Sequence, residues 1–210
     1  MKTASKNGRL DSIEPVTNDA REDILSRAPY RVEIEITGDC PIIFHRFSVE
    51  AVEEKAASGK NTKARKTDNV ESYVYRDSEG RICVPGEYLK QAIVEAGRYR
   101  QDPRSPRKSA RDLFKAIVIP LTELAPINGG SEKWDYLDQR RVVVQRSAVV
   151  RRRPAFHTGW KATISLQIQA PEYLSEKDLR GALTDAGRLV GLADHRPTYG
   201  RFSVTMFKVI

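Results

Sequence analysis

The chain has 210 residues, of which 40% are hydrophobic and 30% are charged, and this suffices for one domain with a buried core. Lys and Arg total 36 against 28 Asp and Glu, so the formal net charge is +8, an excess that favours polyanionic partners. Two cysteines, a polar start and no long apolar run argue against a disulfide framework, a zinc site, a signal peptide and a membrane span, so we expect a cytoplasmic protein with no metal, no cofactor and no membrane partner.

The first 29 residues are polar and of mixed charge, without a clean period. We expect residues 1–29 to form an N-terminal arm. The first strong element is residues 30–37, where three apolar residues alternate with Glu33 and Glu35. This period of two predicts a strand with one buried face and places the two glutamates on its exposed face.

Residues 46–82 are interpreted as a first insertion. Its early part, residues 50–70, is polar and rich in Lys, which is typical of a loop. Two short strands are predicted at 72–75 and 81–84, joined by a turn at 77–80 that carries Asp and Gly at favourable positions.

Two helices are predicted from apolar stripes at helical spacing. The first begins after Pro85 and ends near Gly97, and the second follows the candidate N-cap Ser175 and ends at Gly191. The stripes are Leu89, Ala92, Ile93 and Ala96 in the first helix, and Leu179, Ala182, Leu183, Ala186 and Val190 in the second.

A second insertion is predicted at residues 98–140. It opens with a basic stretch at 98–111 that contains two prolines, continues with a short strand at 116–121, and includes an irregular loop at 124–138.

Three further strands complete the predicted plan. Residues 141–151 are rich in Val, residues 160–169 alternate strictly, and residues 202–206 alternate again. The order strand, helix, strands, helix, strand is a βαββαβ arrangement. The sequence therefore predicts an α+β domain over residues 30–210, with an RRM-like or ferredoxin-like sheet and large inserted loops.

Basic residues cluster in three groups, each in or next to an insertion. The densest group spans 140–153, and residues 139–161 contain no acid, so we expect it not to be neutralised locally. Arg151 and Arg153 would share one strand face, with Arg152 on the other. Arginine suits phosphate oxygens well. The candidate phosphate contacts are Lys63, Arg65, Lys66, Arg104, Arg107, Lys108, Arg140, Arg141, Arg146, Arg151, Arg152 and Arg153.

Aromatic residues beside these groups are candidates for stacking on bases. Trp160 is in phase with the apolar face of its strand, so we expect it in the core. Phe156 and His157 lie off that phase, in a segment with Arg, Pro and Gly. Both are candidates for base contact, with core packing as the alternative.

The segment 191–202, GLADHRPTYGRF, follows the second predicted helix. Backbone N–H groups in glycine-containing turns can cradle phosphate, and His195, Arg196 and Arg201 add charge. The alternative interpretation is a tight connection that needs glycine at positive φ.

The three histidines show no arrangement typical of catalysis. His45, His157 and His195 lack metal-ligand spacing, and no Ser/His/Asp or Cys/His order accompanies them. We expect no enzyme and no catalytic residue. Because one histidine can act as acid or base on an RNA 2′-hydroxyl, a metal-independent ribonuclease using His45 or His195 is an alternative.

Two segments carry recognisable motifs, VPGEYLKQA at 84–92 and the glycine-containing segment at 187–202. The first is similar to the helix opening I-P-G-S-S-L-K-G of the RAMP superfamily of CRISPR-associated proteins, and the second resembles the C-terminal glycine-rich segment of that superfamily. The similarity is closest to backbone subunits of CRISPR effector complexes and their solitary phage-encoded relatives. The departures are Glu87, Tyr88 and Gln91 in the first motif and Ala193 in the second, and they argue against an RNA-processing endonuclease of this superfamily.

This resemblance implies an RRM-like palm with an inserted thumb-like hairpin. It also implies non-catalytic binding of single-stranded RNA and head-to-tail self-association into an open filament. Because Glu33 and Glu35 occupy the exposed face of the first strand, we expect RNA not to cross that strand. A phage protein that binds or anneals single-stranded DNA is the other alternative, since both polymers present the same phosphates.

Overall fold

A computed structural model describes residues 28–47, 53, 57, 69–144 and 147–210. The strands are β1 Tyr30–Gly38, β2 Ile42–Ile43, β3 Tyr75–Arg76, β4 Ile82–Pro85, β5 Gln101–Asp102, β6 Ser105–Ser109, β7 Val118–Pro120, β8 Leu124–Pro126, β9 Tyr136–Val144, β10 Ser147–Phe156, β11 Lys161–Ile168 and β12 Phe202–Val209. The helices are α1 Gly86–Ala96, α2 Arg111–Ile117 and α3 Glu176–Asp185. Short helical turns occur at Val70–Tyr73, Gly97–Tyr99, Ile127–Gly129 and Ala186–Val190, the last of them π-helical.

The largest sheet has four antiparallel strands in the order β12-β1-β11-β7. Val32, Ile34 and Ile36 of β1 are fully buried, as their alternation predicts. Helices α1 and α3 pack on this sheet and on each other. The core therefore lies between one sheet face and two helices, and the mixed α+β class is confirmed.

Three smaller sheets surround this core. Strands β2, β10 and β9 form one, strands β3, β4 and β8 form another, and β5 and β6 pair as a small hairpin. The long β9–β10 pair keeps an unbroken register from Tyr136↔Ala155 to Val144↔Ser147. It is tied to the rest of the domain through β2, at the Ala155 and Phe156 end.

Trp160 lies in the core, as predicted, with 1% of its side chain exposed. Its indole N–H donates to the Cys40 carbonyl at 2.9 Å. The ring lies directly against Gly38, where a Cβ would overlap the indole. Of the two free cysteines, Cys83 is buried and Cys40 is half-buried.

Several local predictions need correction. Residues 70–73 form a 3₁₀ turn rather than the start of a strand. Helix α2 lies at the end of the basic stretch, where no helix was expected, and buries Leu113, Phe114 and Ile117. The predicted irregular loop at 124–138 contains β8 and the start of β9. Among the described residues no helix is both long enough and apolar enough to cross a membrane.

The Ser175 N-cap is present. Its hydroxyl accepts a hydrogen bond from the Asp178 backbone N–H at 3.2 Å and donates to the Asp178 carboxylate at 2.6 Å. This cap sets the start of α3. The predicted arm at 1–29 falls almost wholly outside the described residues, as does most of the 50–70 loop.

Candidate nucleic-acid interface

The β9–β10 hairpin has two chemically different faces. Directly opposed residues share a face, and Arg151 lies opposite Arg140 while Arg153 lies opposite Asp138. We call this the inner face. The outer face is formed by Leu137, Gln139, Arg141, Val150 and Arg152, all of which are exposed.

On the inner face, two of the predicted phosphate contacts are engaged within the protein. The Arg140 guanidinium forms a two-pronged ion pair with Asp138 and donates to the Tyr199 hydroxyl, over whose ring it lies at 4.2 Å. The hydrogen bond to Asp138 raises the pKa of Arg140. Arg140 therefore joins the hairpin to the 191–200 loop rather than standing free.

The prediction that Arg153 contacts phosphate at the surface is wrong. Its side chain is 9% exposed, and its Nε lies 2.8 Å from Asp194 Oδ2. Its Nη1 lies 2.8 Å from His195 Nε2. This residue anchors the hairpin to the 191–200 loop through a nearly buried ion pair.

The prediction that Phe156 stacks on a base is also wrong. Its ring is fully buried and packs edge-on against Phe44, with 6.0 Å between ring centroids. His157 is exposed and stacks on Tyr136 at 4.7 Å. Core packing, the alternative to base contact, is therefore observed for Phe156 and not for His157.

The 191–200 loop has an unusual backbone. Gly191 and Gly200 have φ of 78° and 72°, and the non-glycine residues Ala193 and His195 have φ of 60° and 56°. Left-handed conformations of non-glycine residues are unfavourable and persist only where surrounding contacts impose them. Here the ion pair between Asp194 and Arg153 provides such a contact, because Asp194 lies between the two strained residues.

A cleft of about 620 Å³ lies between the second half of α1 and this loop. We call it the loop cleft. It is lined by Gln91, Glu95, Arg98, Tyr99, Leu189, Val190, Ala193, Asp194, His195, Arg196 and Pro197. Tyr99 is 62% exposed there, so an aromatic ring stands beside Arg98 and Arg196 with room for a ligand.

A second cleft of about 710 Å³ lies on another side of the same loop. Arg188 and Arg201 line it, and Leu189 lines both clefts. The Arg201 Nε donates to the Pro197 carbonyl at 2.8 Å. The loop is therefore flanked by two openings, each with two arginines.

The β5–β6 hairpin carries the remaining described candidates. Asp102 takes two side-chain hydrogen bonds from Arg104, and these lower the pKa of Asp102 to about 2. Arg107 and Lys108 are exposed. Arg104 is thus partly neutralised, while the other two present their charge to solvent.

Four predicted contacts cannot be placed. Lys63, Arg65, Lys66 and Arg146 lie outside the described residues. Among the described part of the chain, Arg141 and Arg152 of the outer face have no ion pair, and both side chains are exposed. Arg151 is half-buried on the inner face.

Sequence reasoning missed part of the loop cleft. Gln91, Leu189 and Tyr99, which line it, were not among the predicted contacts. The available signal was the order Arg98-Tyr99-Arg100, since an aromatic between two arginines at a helix end is poorly suited to a core. The described residues contain no cluster of metal-ligating side chains.

The fold resembles that of a chain in a solved complex. A chain in the cryo-EM structure of the type III-B Cmr-beta bound to cognate target RNA superposes with a TM-score of 0.53 at 11% identity, covering 91% of this chain. The matched part of the present protein spans 64% of the length of that solved chain. This likeness supports a RAMP-like fold, and at this identity it concerns fold alone.

Two further superpositions have lower TM-scores. Cmr6 from Pyrococcus furiosus gives a TM-score of 0.45 at 7% identity, covering 85% of this chain and 98% of that one. A chain of the Csm3–Csm4 subcomplex of the type III-A CRISPR-Cas interference complex gives 0.38 at 15%, covering 88% and 79%. A scan against family models and a search of curated proteins found no match.

Proposed function

We propose that this protein is a non-catalytic single-stranded RNA-binding protein that assembles head-to-tail along the nucleic-acid backbone, like a backbone subunit of a CRISPR effector complex. The observation that carries the proposal is the outer face of the β9–β10 hairpin. It combines exposed Arg141 and Arg152 with an exposed apolar Val150 on a hairpin that is rooted in the core at one end.

Topology supports a palm-and-thumb arrangement. The elements β1, α1, β7, β11, α3 and β12 follow a βαββαβ order, the plan of ferredoxin-like domains. We assign them to an RRM-like palm and the β9–β10 hairpin to the thumb. The palm face that carries Glu33 and Glu35 offers no aromatic ring in β1, so RNA is assigned to the hairpin and the clefts instead.

Chemistry of the loop cleft supports a single strand as ligand. Arg196 and Arg98 supply positive charge, although Arg98 is paired with Glu95 at 2.5 Å, and Tyr99 offers a ring for stacking. Stacking on an aromatic side chain is worth about 1–3 kcal/mol per base. Duplex RNA would not expose its bases in this way.

The ribonuclease alternative is less well supported by geometry. His45 Nδ1 lies 3.9 Å from Asp194, but His195 Nε2 contacts the Arg153 guanidinium. That nitrogen cannot take a proton from a 2′-hydroxyl while it faces a donor. The protein is therefore proposed to bind RNA without cleaving it.

Replacing Arg141 and Arg152 together by Gln should flatten the salt dependence of RNA binding. Each phosphate contact to a single strand contributes about 0.7 to the slope of log K against log salt, so we expect the slope to fall by about 1.4, with weaker binding to all sequences. Fluorescence anisotropy over a salt series, with the RNA recovered afterwards on a gel, measures the slope and checks that the strand stays intact.

Lys177→Gln/Lys208→Gln is the matched control, because it removes two exposed charges at other surfaces. It should leave the slope within error of the original. Equal slopes for both double variants would remove the outer face from the interface. Equal affinity for single-stranded DNA would favour the annealing protein, and a cleaved strand would favour the nuclease.

Self-association should depend on long single strands. One copy contacts few nucleotides, and repeating the contact along a strand raises affinity through effective concentration. A head-to-tail contact that does not close generates an open filament. Light scattering should show the apparent mass rising with RNA length; a mass that stays at one copy with both short and long strands would contradict the assembly.

A further inference from the structure

Arg153 contacts two adjacent residues of the 191–200 loop, Asp194 and His195, beside the loop cleft. Its Nε lies 2.8 Å from Asp194 Oδ2, and its Nη1 lies 2.8 Å from His195 Nε2. A guanidinium has only N–H donors and is always charged. In this contact His195 Nε2 must therefore be the acceptor, so the imidazole is neutral and carries its proton on Nδ1.

The other ring nitrogen is left for a ligand. His195 lines the loop cleft, and no hydrogen-bond partner of its Nδ1 is found among the described residues. With the proton fixed on Nδ1, the ring offers one neutral donor. Nucleic acid presents many acceptors to such a donor, including phosphate oxygens and base carbonyls.

We infer that Arg153 is a positioning residue, which holds His195 as the neutral Nδ1–H tautomer so that the loop cleft presents a hydrogen-bond donor, not a cation, to a single strand. This inference rests on the proposed function. A second proton on Nε2 would set two cations 2.8 Å apart, so the contact itself is compatible only with the neutral ring.

Other charged groups near His195 do not change the assignment of the neutral ring. Asp194 is already shared with Arg153 and lies near His45, and the Arg140 charge is paired with Asp138. The remaining neighbours are Tyr199 of the same loop, Tyr88, Glu95, Arg98 and Tyr99 of the α1 side, and Arg196. Of these, Glu95 is engaged by Arg98 and Arg111.

Nitrogen NMR of the full chain tests the tautomer without any ligand. Long-range proton–nitrogen spectra distinguish a protonated Nδ1 from a protonated Nε2, and the His195 signals are assigned by their loss in His195→Asn. We expect the Nδ1–H form at neutral pH. An Nε2–H form, or a ring already charged at neutral pH, would overturn the inference whether or not the protein binds RNA.

The affinity for RNA supplies the second readout. Asn keeps an N–H donor and tolerates left-handed φ, so His195→Asn should bind single-stranded RNA within about twofold of the original protein, whereas His195→Ala, which has no side-chain donor, should bind about fivefold more weakly. Equal affinities of the two variants would overturn the inference, whereas no binding by the original protein would sink the proposed function and leave the NMR result to decide the tautomer.

Discussion

Replacing Gly200 by Ala lowers the free energy of unfolding by about 3 kcal/mol and abolishes binding through the loop cleft. Gly200 has φ of 72°, which costs an L-residue about 1–2 kcal/mol. Its Cβ would also overlap the Leu192 carbonyl oxygen, and relieving such overpacking costs about 1–3 kcal/mol. Urea unfolding followed by circular dichroism measures the loss.

Two matched variants separate backbone strain from overlap. Gly80 has φ of 80° but open space where the Cβ would stand, so Gly80→Ala should cost only about 1 kcal/mol. Ala193→Gly removes left-handed strain within the same loop and should stabilise by about 0.5 kcal/mol. Equal losses for Gly200→Ala and Gly80→Ala would mean that the loop yields to the new methyl group.

Elements with a strong local period were predictable. The alternation in β1 and β11 and the stripes of α1 and α3 each report which face is buried, and that information is contained in neighbouring residues. Helix α2 was missed because its seven residues continue a basic, Pro-containing stretch. Its signal was Leu113, Phe114 and Ile117, which lie at i, i+1 and i+4.

Tertiary partners of the arginines were not predictable. The 140–153 group was judged free of local acids, yet Arg140 pairs with Asp138 at its border and Arg153 with Asp194 in a distant loop. A count of charges along the chain treats Arg140 and Arg153 as equally available to contact phosphate. Phe156 failed for a related reason, since β10 continues to Phe156 and carries its ring into the core beside Phe44.

The sequence predicted which residue types the candidate interface contains, but not which face of the hairpin each of them occupies. The hairpin register places Arg141 and Arg152 on one face and Arg140, Arg151 and Arg153 on the other. Sequence reasoning separated Arg152 from its neighbours by strand parity. It had no means of knowing which face meets the loop, because that depends on how the hairpin is tied to β2.

Asp194→Asn should be the most damaging single polar substitution in this region. It leaves the Arg153 charge almost buried without a counter-ion, and breaking a buried pair costs about 3–5 kcal/mol. Because Asp194 is 29% exposed, water offsets part of this loss, and we expect about 2–3 kcal/mol. Chemical denaturation measures the change, and its size should vary little with salt since the pair is poorly screened.

Glu79→Gln is the exposed counterpart of this substitution. Glu79 pairs with Arg81 at 3.0 Å but is 66% exposed, so its loss should cost less than about 0.5 kcal/mol. The double variant Asp194→Asn/Arg153→Met removes the orphaned charge and should recover much of the stability that Asp194→Asn loses, because a buried pair replaced by an apolar residue is often neutral. A cost for Asp194→Asn as small as that for Glu79→Gln would show that Arg153 is solvated, and would return it to the list of residues able to contact phosphate.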